Sequence, residues 1–222
     1  MKRSLLYGLM INILFVLNLS AESEQFKGFR VKRFPFFIYS DAHHKLNHFY
    51  PGSMRGDFFH IKINDRYSHD PKVGKTCIRI QYTAEKKLGM GWAQISFQPT
   101  PSDYWNTKRG SYDLTTAKKL FFYAKGETGN EIVEFKMAGF NGKESSNKKV
   151  TTDEIRLTKK WKLYFIALDN VLLSEIIGGI AIIFSRERNP DKATIYMDQI
   201  YYSDKTTPDN FNSNNFSRST AN

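Results

Sequence analysis

Apolar and polar residues alternate from Trp92 to Gln98: Ala93, Ile95 and Phe97 fall on one face, Trp92, Gln94, Ser96 and Gln98 on the other. Period two predicts a β-strand with one face in a core. Short strand-like runs recur at Phe34 to Tyr39, Phe58 to Asn64, Cys77 to Ala84, Lys118 to Gly126, Glu131 to Gly139, Val150 to Leu157, Trp161 to Leu168, Gly179 to Glu187 and Ala193 to Ser203. Turns rich in Asp, Pro, Lys and Gly separate these runs, which predicts about ten strands. Only Asn170 to Ile177 reads as a short helix, and no strand–helix–strand rhythm appears. The expected fold is all-β, a two-sheet antiparallel jelly-roll sandwich.

Composition supports a packed core and narrows the setting. The 222 residues are 41% hydrophobic and 15% aromatic, which excludes wholesale disorder and suits one domain with appendages. Lys2 and Arg3 precede an apolar run, Leu5 to Leu19, followed by the small residues Ser20, Ala21 and Ser23. That order reads as a secretion signal over 1–23, too short for a comfortable span, with an uncleaved N-terminal anchor as the alternative. Residues 24–33 form a basic leader carrying Lys27, Arg30, Lys32 and Arg33, read as solvated; 34–204 form the sandwich, and 205–222 a polar disordered tail. The formal charge of +11 leaves a basic mature chain once Lys2 and Arg3 are removed, so an exported anionic polymer is a better electrostatic partner than nucleic acid. The lone Cys77 forbids an internal disulfide and reads as a small buried hydrophobe.

Chemistry-bearing motifs are few. The outward face of the Trp92 strand offers an indole and two amides, groups that stack on a sugar ring and hydrogen-bond its hydroxyls. His44 and His48 have the spacing of helical zinc ligands, but no Glu stands beside His44 as a metalloprotease motif requires. Arg55-Gly56-Asp57 reads first as a turn. Glycoside hydrolysis needs two facing carboxylates, and the odd spacing of Glu131 and Glu134 puts them on opposite faces of one strand. No nucleophile elbow or phosphate loop is present.

In order, the stretches GWAQISFQP, KKLFFYAKGETGNEIVEFKMAGF, WKLYFIALD, IIGGIAIIFS and ATIYMDQIYY resemble the carbohydrate-binding β-sandwich domains of the galactose-binding-like superfamily, of the kind associated with bacterial β-glucanases. The resemblance covers roughly Phe34 to Ser203 and implies a non-catalytic module that holds a glycan on its concave sheet. Leu120, Phe122 and Ala124 are then expected in the core beside Val133, Phe135 and Met137. Phe121, Tyr123, Lys125, Glu134 and Lys136 are expected to join Trp92, Gln94 and Gln98 on the groove face, with Trp105 closing one end from a loop. The resemblance also implies a structural calcium, for which Asp41 and Asp198 are the candidate ligands and Asp57 a third. For Asp198, an ion pair with a lysine or arginine stands as the alternative. The sequence departs from the family at Ser96 and Met54, where an aromatic and a tryptophan are common.

Two readings of different class follow. One is a secreted or periplasmic polysaccharide-binding protein, with β-glucan favoured; the other is an exported interaction domain that engages an anionic envelope or matrix partner through its basic surface.

Overall fold

A computed structural model describes residues 29–85, 88–99, 112–137 and 150–211. Residues 1–23, expected to be a secretion signal, Trp105 and most of the expected polar tail lie outside these residues. The described residues form thirteen strands: β1 (Phe29–Arg30), β2 (Phe36–Tyr39), β3 (Tyr50–Gly56), β4 (Ile61–Tyr67), β5 (Cys77–Thr83), β6 (Trp92–Gln98), β7 (Tyr112–Asp113), β8 (Lys119–Gly126), β9 (Ile132–Lys136), β10 (Thr151–Arg156), β11 (Lys162–Ala167), β12 (Ala181–Ser185) and β13 (Lys192–Ser203). One antiparallel sheet has five strands in the order β10-β9-β12-β6-β3. The other has six, ordered β11-β8-β13-β5-β4, with β2 also paired to β13. β1 and β7 make a short parallel pair beside them.

The apolar half of each alternating strand fills the space between the sheets. Ala93, Ile95 and Phe97 are fully buried, as are Leu120, Phe122 and Ala124, while Val133 and Phe135 are all but sealed. Rings meet across the gap: Phe122 of β8 lies 4.5 Å from Phe135 of β9, and Tyr82 of β5 stacks 5.2 Å from Phe184 of β12. Burying each such ring contributes roughly 1.5–3 kcal/mol. Cys77 is buried too, and that burial pushes its thiol up to about 12, as suits an inert core residue.

Three local expectations change. Residues 50–56 form a strand, although Arg55-Gly56-Asp57 reads as a turn and Pro51-Gly52 favours one by local preference. Pro is tolerated there because β3 is an edge strand whose register shifts between Pro51 and Ser53. Asn170 to Ile177 forms no helix; Ile176 instead bridges to Tyr112. In the described end of the basic leader the cations Arg30, Lys32 and Arg33 are exposed, while the backbone is docked, with Val31 N–H donating to the Asp113 carbonyl at 3.0 Å. Asp209 and Phe211 of the polar tail are docked as well, since Asp209 N–H donates to Tyr201 Oη at 3.1 Å and Phe211 meets the Tyr201 ring at 4.9 Å, while 205–208 are exposed.

Candidate functional site

Strand β6 sits inside the five-stranded sheet, between β12 and β3, so its polar half looks outward from a rigid floor. Trp92, Gln94 and Ser96 are half-buried there, while Gln98 is 8% exposed. Gln94 donates from Nε2 to Ser96 Oγ at 2.8 Å, which fixes the first amide. Gln98 Oε1 is buried and has no hydrogen-bond partner among the described residues. The indole of Trp92 sits over Gly56, which has φ +72°; a Cβ there would lie 2.8 Å from Trp92 Cε3 and 2.2 Å from the Trp92 carbonyl oxygen. Only glycine fits beneath that ring.

Asp57, fully buried, positions the turn that delivers Trp92. Its two carboxylate oxygens accept the N–H groups of Leu88 and Gly91, each at 2.6 Å. Burial acts to raise the Asp57 carboxyl, but donors from Gly91, Leu88 and Met90 prevail and hold it below the ordinary value. Its carboxylate is thus committed to a turn, and the Arg55-Gly56-Asp57 tripeptide is not an exposed loop tip.

Cross-strand register extends the floor. Gln94 lies opposite Ile183 of β12, which lies opposite Glu134 of β9. Glu134 therefore shares the outward face with Gln94, two strand spacings or roughly 10 Å away. Its Oε1 accepts from Thr151 Oγ1 at 2.7 Å. On the other side, Arg55 lies opposite Gln94 and Tyr50 opposite Gln98. Both are exposed and both were missed in the sequence, because Pro51-Gly52 masks the alternation that would have revealed them.

Tyr123 and Lys125 do not join this face. They belong to β8 in the six-stranded sheet, so their outward side chains point away from the opposite side of the sandwich. Consecutive strands β8 and β9 cross between sheets through the turn at 127–131. There Glu131 is buried and accepts N–H bonds from Thr128, Gly129 and Asn130. Alternation reports inside against outside, but not which outside. Tyr123 lies beneath the Lys72 ammonium, 5.0 Å from its ring centroid; Lys125 pairs with Asp70 and sits 5.1 Å from the Trp161 ring and 4.8 Å from that of Tyr196. Trp105 lies outside the described residues.

The calcium expectation was tested on the donors around Asp41 and Asp198. Asp198 is fully buried; its Oδ2 accepts from Lys72 N–H at 2.8 Å and Val73 N–H at 3.0 Å, and its Oδ1 from Gln199 N–H at 2.8 Å. Asp41 accepts from Ala42 N–H at 3.0 Å, Lys75 N–H at 3.0 Å and the Thr76 hydroxyl. All four carboxylate oxygens are occupied by donors, whereas calcium requires free oxygen ligands. No cluster of three or more His, Cys, Asp or Glu occurs among the described residues. The arrangement does not fit a calcium ion; it clamps the 70–76 loop to β2 and β13. Burial pushes the Asp198 carboxyl up to about 8 despite its three N–H donors, with nearby Asp41 adding to the rise. His44 and His48 are no zinc pair on a helix either: Nδ1 of His44 is 2.9 Å from Ser40 Oγ, and Nδ1 of His48 is 3.1 Å from the Phe37 carbonyl.

No protein-family model matches the chain, and no curated protein matches it. Among solved structures it is similar to a crystal structure of a family 30 carbohydrate-binding module, with a TM-score of 0.54 and 15% identity over 82% of this chain and 93% of that one. A second family 30 module gives a TM-score of 0.51 and 17% identity over 76% and 97% of the two chains. The chain has a carbohydrate-binding-module-like β-sandwich fold. A further family 30 module, from a cellulosomal cellulase of Clostridium thermocellum, aligns at a TM-score of 0.49 with 15% identity over 79% of this chain and all of that one. At such identity the likeness shows the fold alone. Among the described residues no helix is long and apolar enough to cross a membrane.

Proposed function

We propose that this chain is an exported, non-catalytic glycan-binding protein whose binding surface is the outward face of the five-stranded sheet. The observation that carries the reading is the row Trp92, Gln94, Ser96 and Gln98 on β6, with Glu134 on the same face. An indole resting on backbone supplies a flat, rigid stacking surface at low entropic cost. The amides and the carboxylate supply directional bonds to hydroxyls. The leader at 1–23 motivates export, and a β-glucan-like polysaccharide is the favoured ligand class. Catalysis is not part of the reading, because Glu131 is buried in a turn and unavailable to partner Glu134 across a bond.

The test is a glycan-array screen at two salt concentrations with the native sequence and Trp92→Ala. Binding to neutral polymers that ignores salt and disappears in Trp92→Ala is the expected result. Capture confined to anionic polymers and weakened by salt would replace this reading with that of an electrostatic interaction domain.

A further inference from the structure

A cavity of about 670 Å³ opens between the N-terminal segment and β2, with no lining residue on the five-stranded sheet. Its volume falls within the ~300–1,000 Å³ range of small-molecule sites. Val31, Phe34, Phe36, Tyr112 and Phe211 contribute apolar walls. The wall is preformed: Phe36 stacks on His48 at 3.9 Å and meets Tyr112 at 4.8 Å. Three cations, Arg30, Lys32 and Arg33, also line it, and all are exposed, which places positive charge at the solvent side of an apolar hole. Arg30 has Asp113 at 3.4 Å, while Lys32 and Arg33 have no acidic partner among the described residues.

We infer that this cavity binds an anionic amphiphile, a long-chain carboxylate whose acyl chain lies among the aromatic walls and whose head pairs with Lys32 and Arg33. Apolar walls alone would accept any hydrophobe, so the two unpaired cations give the site its selectivity for an anion. Charge-assisted hydrogen bonds to a carboxylate are the strong class of such contacts. Neither cation is buried, so changing them leaves the fold intact.

The experiment is calorimetric titration of the full chain with dodecanoate, decanoate, dodecan-1-ol and dodecyltrimethylammonium, each below its micellar concentration. Dodecanoate should bind, and decanoate should bind more weakly by about fourfold per lost methylene. The Lys32→Glu/Arg33→Glu variant, with its melting temperature unchanged, should lose about tenfold or more in dodecanoate affinity. Val31→Trp, which fills the cavity, should lose it also. Equal binding of the cationic detergent, or dodecanoate affinity unmoved in both variants, overturns the proposal.

Discussion

The two outward faces of this sandwich are built from the same alternating strands and yet do different work. Across the five-stranded sheet one row reads Glu154, Glu134, Ile183, Gln94, Arg55, polar and charged groups around a single aliphatic side chain. Across the six-stranded sheet the comparable row reads Phe165, Phe121, Tyr201, Phe37. There Phe121 and Tyr201 are sealed from solvent, and Phe211 covers Phe37 at 5.4 Å. Asp198 and Asp41 tie the 70–76 loop over the same side. Lys119, Lys125 and Arg79 are each spent on a neighbouring ring. Phe121 and Tyr201 thus belong to a small core outside the sheet and stabilise the fold instead of meeting a ligand. An outward aromatic identifies a binding surface only when nothing in the chain covers it.

The sharpest way to break this comparison is a double dissociation. Phe121→Ala should cost about 3–5 kcal/mol of stability, the usual penalty for emptying a sealed aromatic site, and leave glycan affinity at permissive temperature unchanged. Trp92→Ala should do the reverse: a small stability change and a loss of about 2 kcal/mol in affinity, some thirtyfold. Tyr123→Ala should behave like Phe121→Ala in milder form. Chemical denaturation alongside titration with a bound glycan reads both quantities. Lost affinity in a folded Tyr123→Ala protein would exchange the roles of the two faces.

The sequence makes alternation readable because burial follows it closely: Ala93, Ile95 and Phe97 fall to zero exposure. It conceals which sheet a strand enters. Tyr123 and Glu134 carry equally good outward phase, and only the crossover at Glu131 sends them to opposite sides, a turn whose route depends on hydrogen bonds made after folding. Edge strand β3 is hidden for another reason. Pro51 and Gly52 are turn residues by local preference, but an edge position with a register shift accepts both. The β6 half of the candidate floor was therefore legible, and Arg55 and Tyr50 were not.

Each face also depends on a buried aspartate that anchors a loop, and the two titrate in opposite directions. Asp57, below the five-stranded face, is held under its ordinary value, so its contribution is present above the unfolded value near pH 4 and lost as pH falls through the folded one. Asp198, under the six-stranded face, is raised to about 8. Its contribution is fully present below about pH 4 and lost as pH climbs through 8. Melting scans should show Asp57→Asn blunting the acid-side decline, and Asp198→Asn flattening the fall between about pH 4 and 8 by a few kcal/mol. A native stability that rises from pH 4 to 8, with Asp198→Asn unable to alter it, would mean that its three N–H donors outweigh burial.

The smallest expected effect is that of calcium on the same loop. An ion that occupies a site at one hundred times its dissociation constant adds about 2.7 kcal/mol to the folded state. Asp41 and Asp198 offer it oxygens already engaged by the N–H groups of Lys72, Val73, Lys75, Ala42 and Gln199. Binding would require those contacts to break and the 70–76 loop to leave the six-stranded face, a cost that opposes the gain. Millimolar calcium and excess chelator should therefore give the same melting temperature, and Asp41→Asn should destabilise equally in both. A calcium-dependent rise that Asp41→Asn abolishes would show that the loop opens to admit the ion, and that the covered face is less permanently closed than its hydrogen bonds imply.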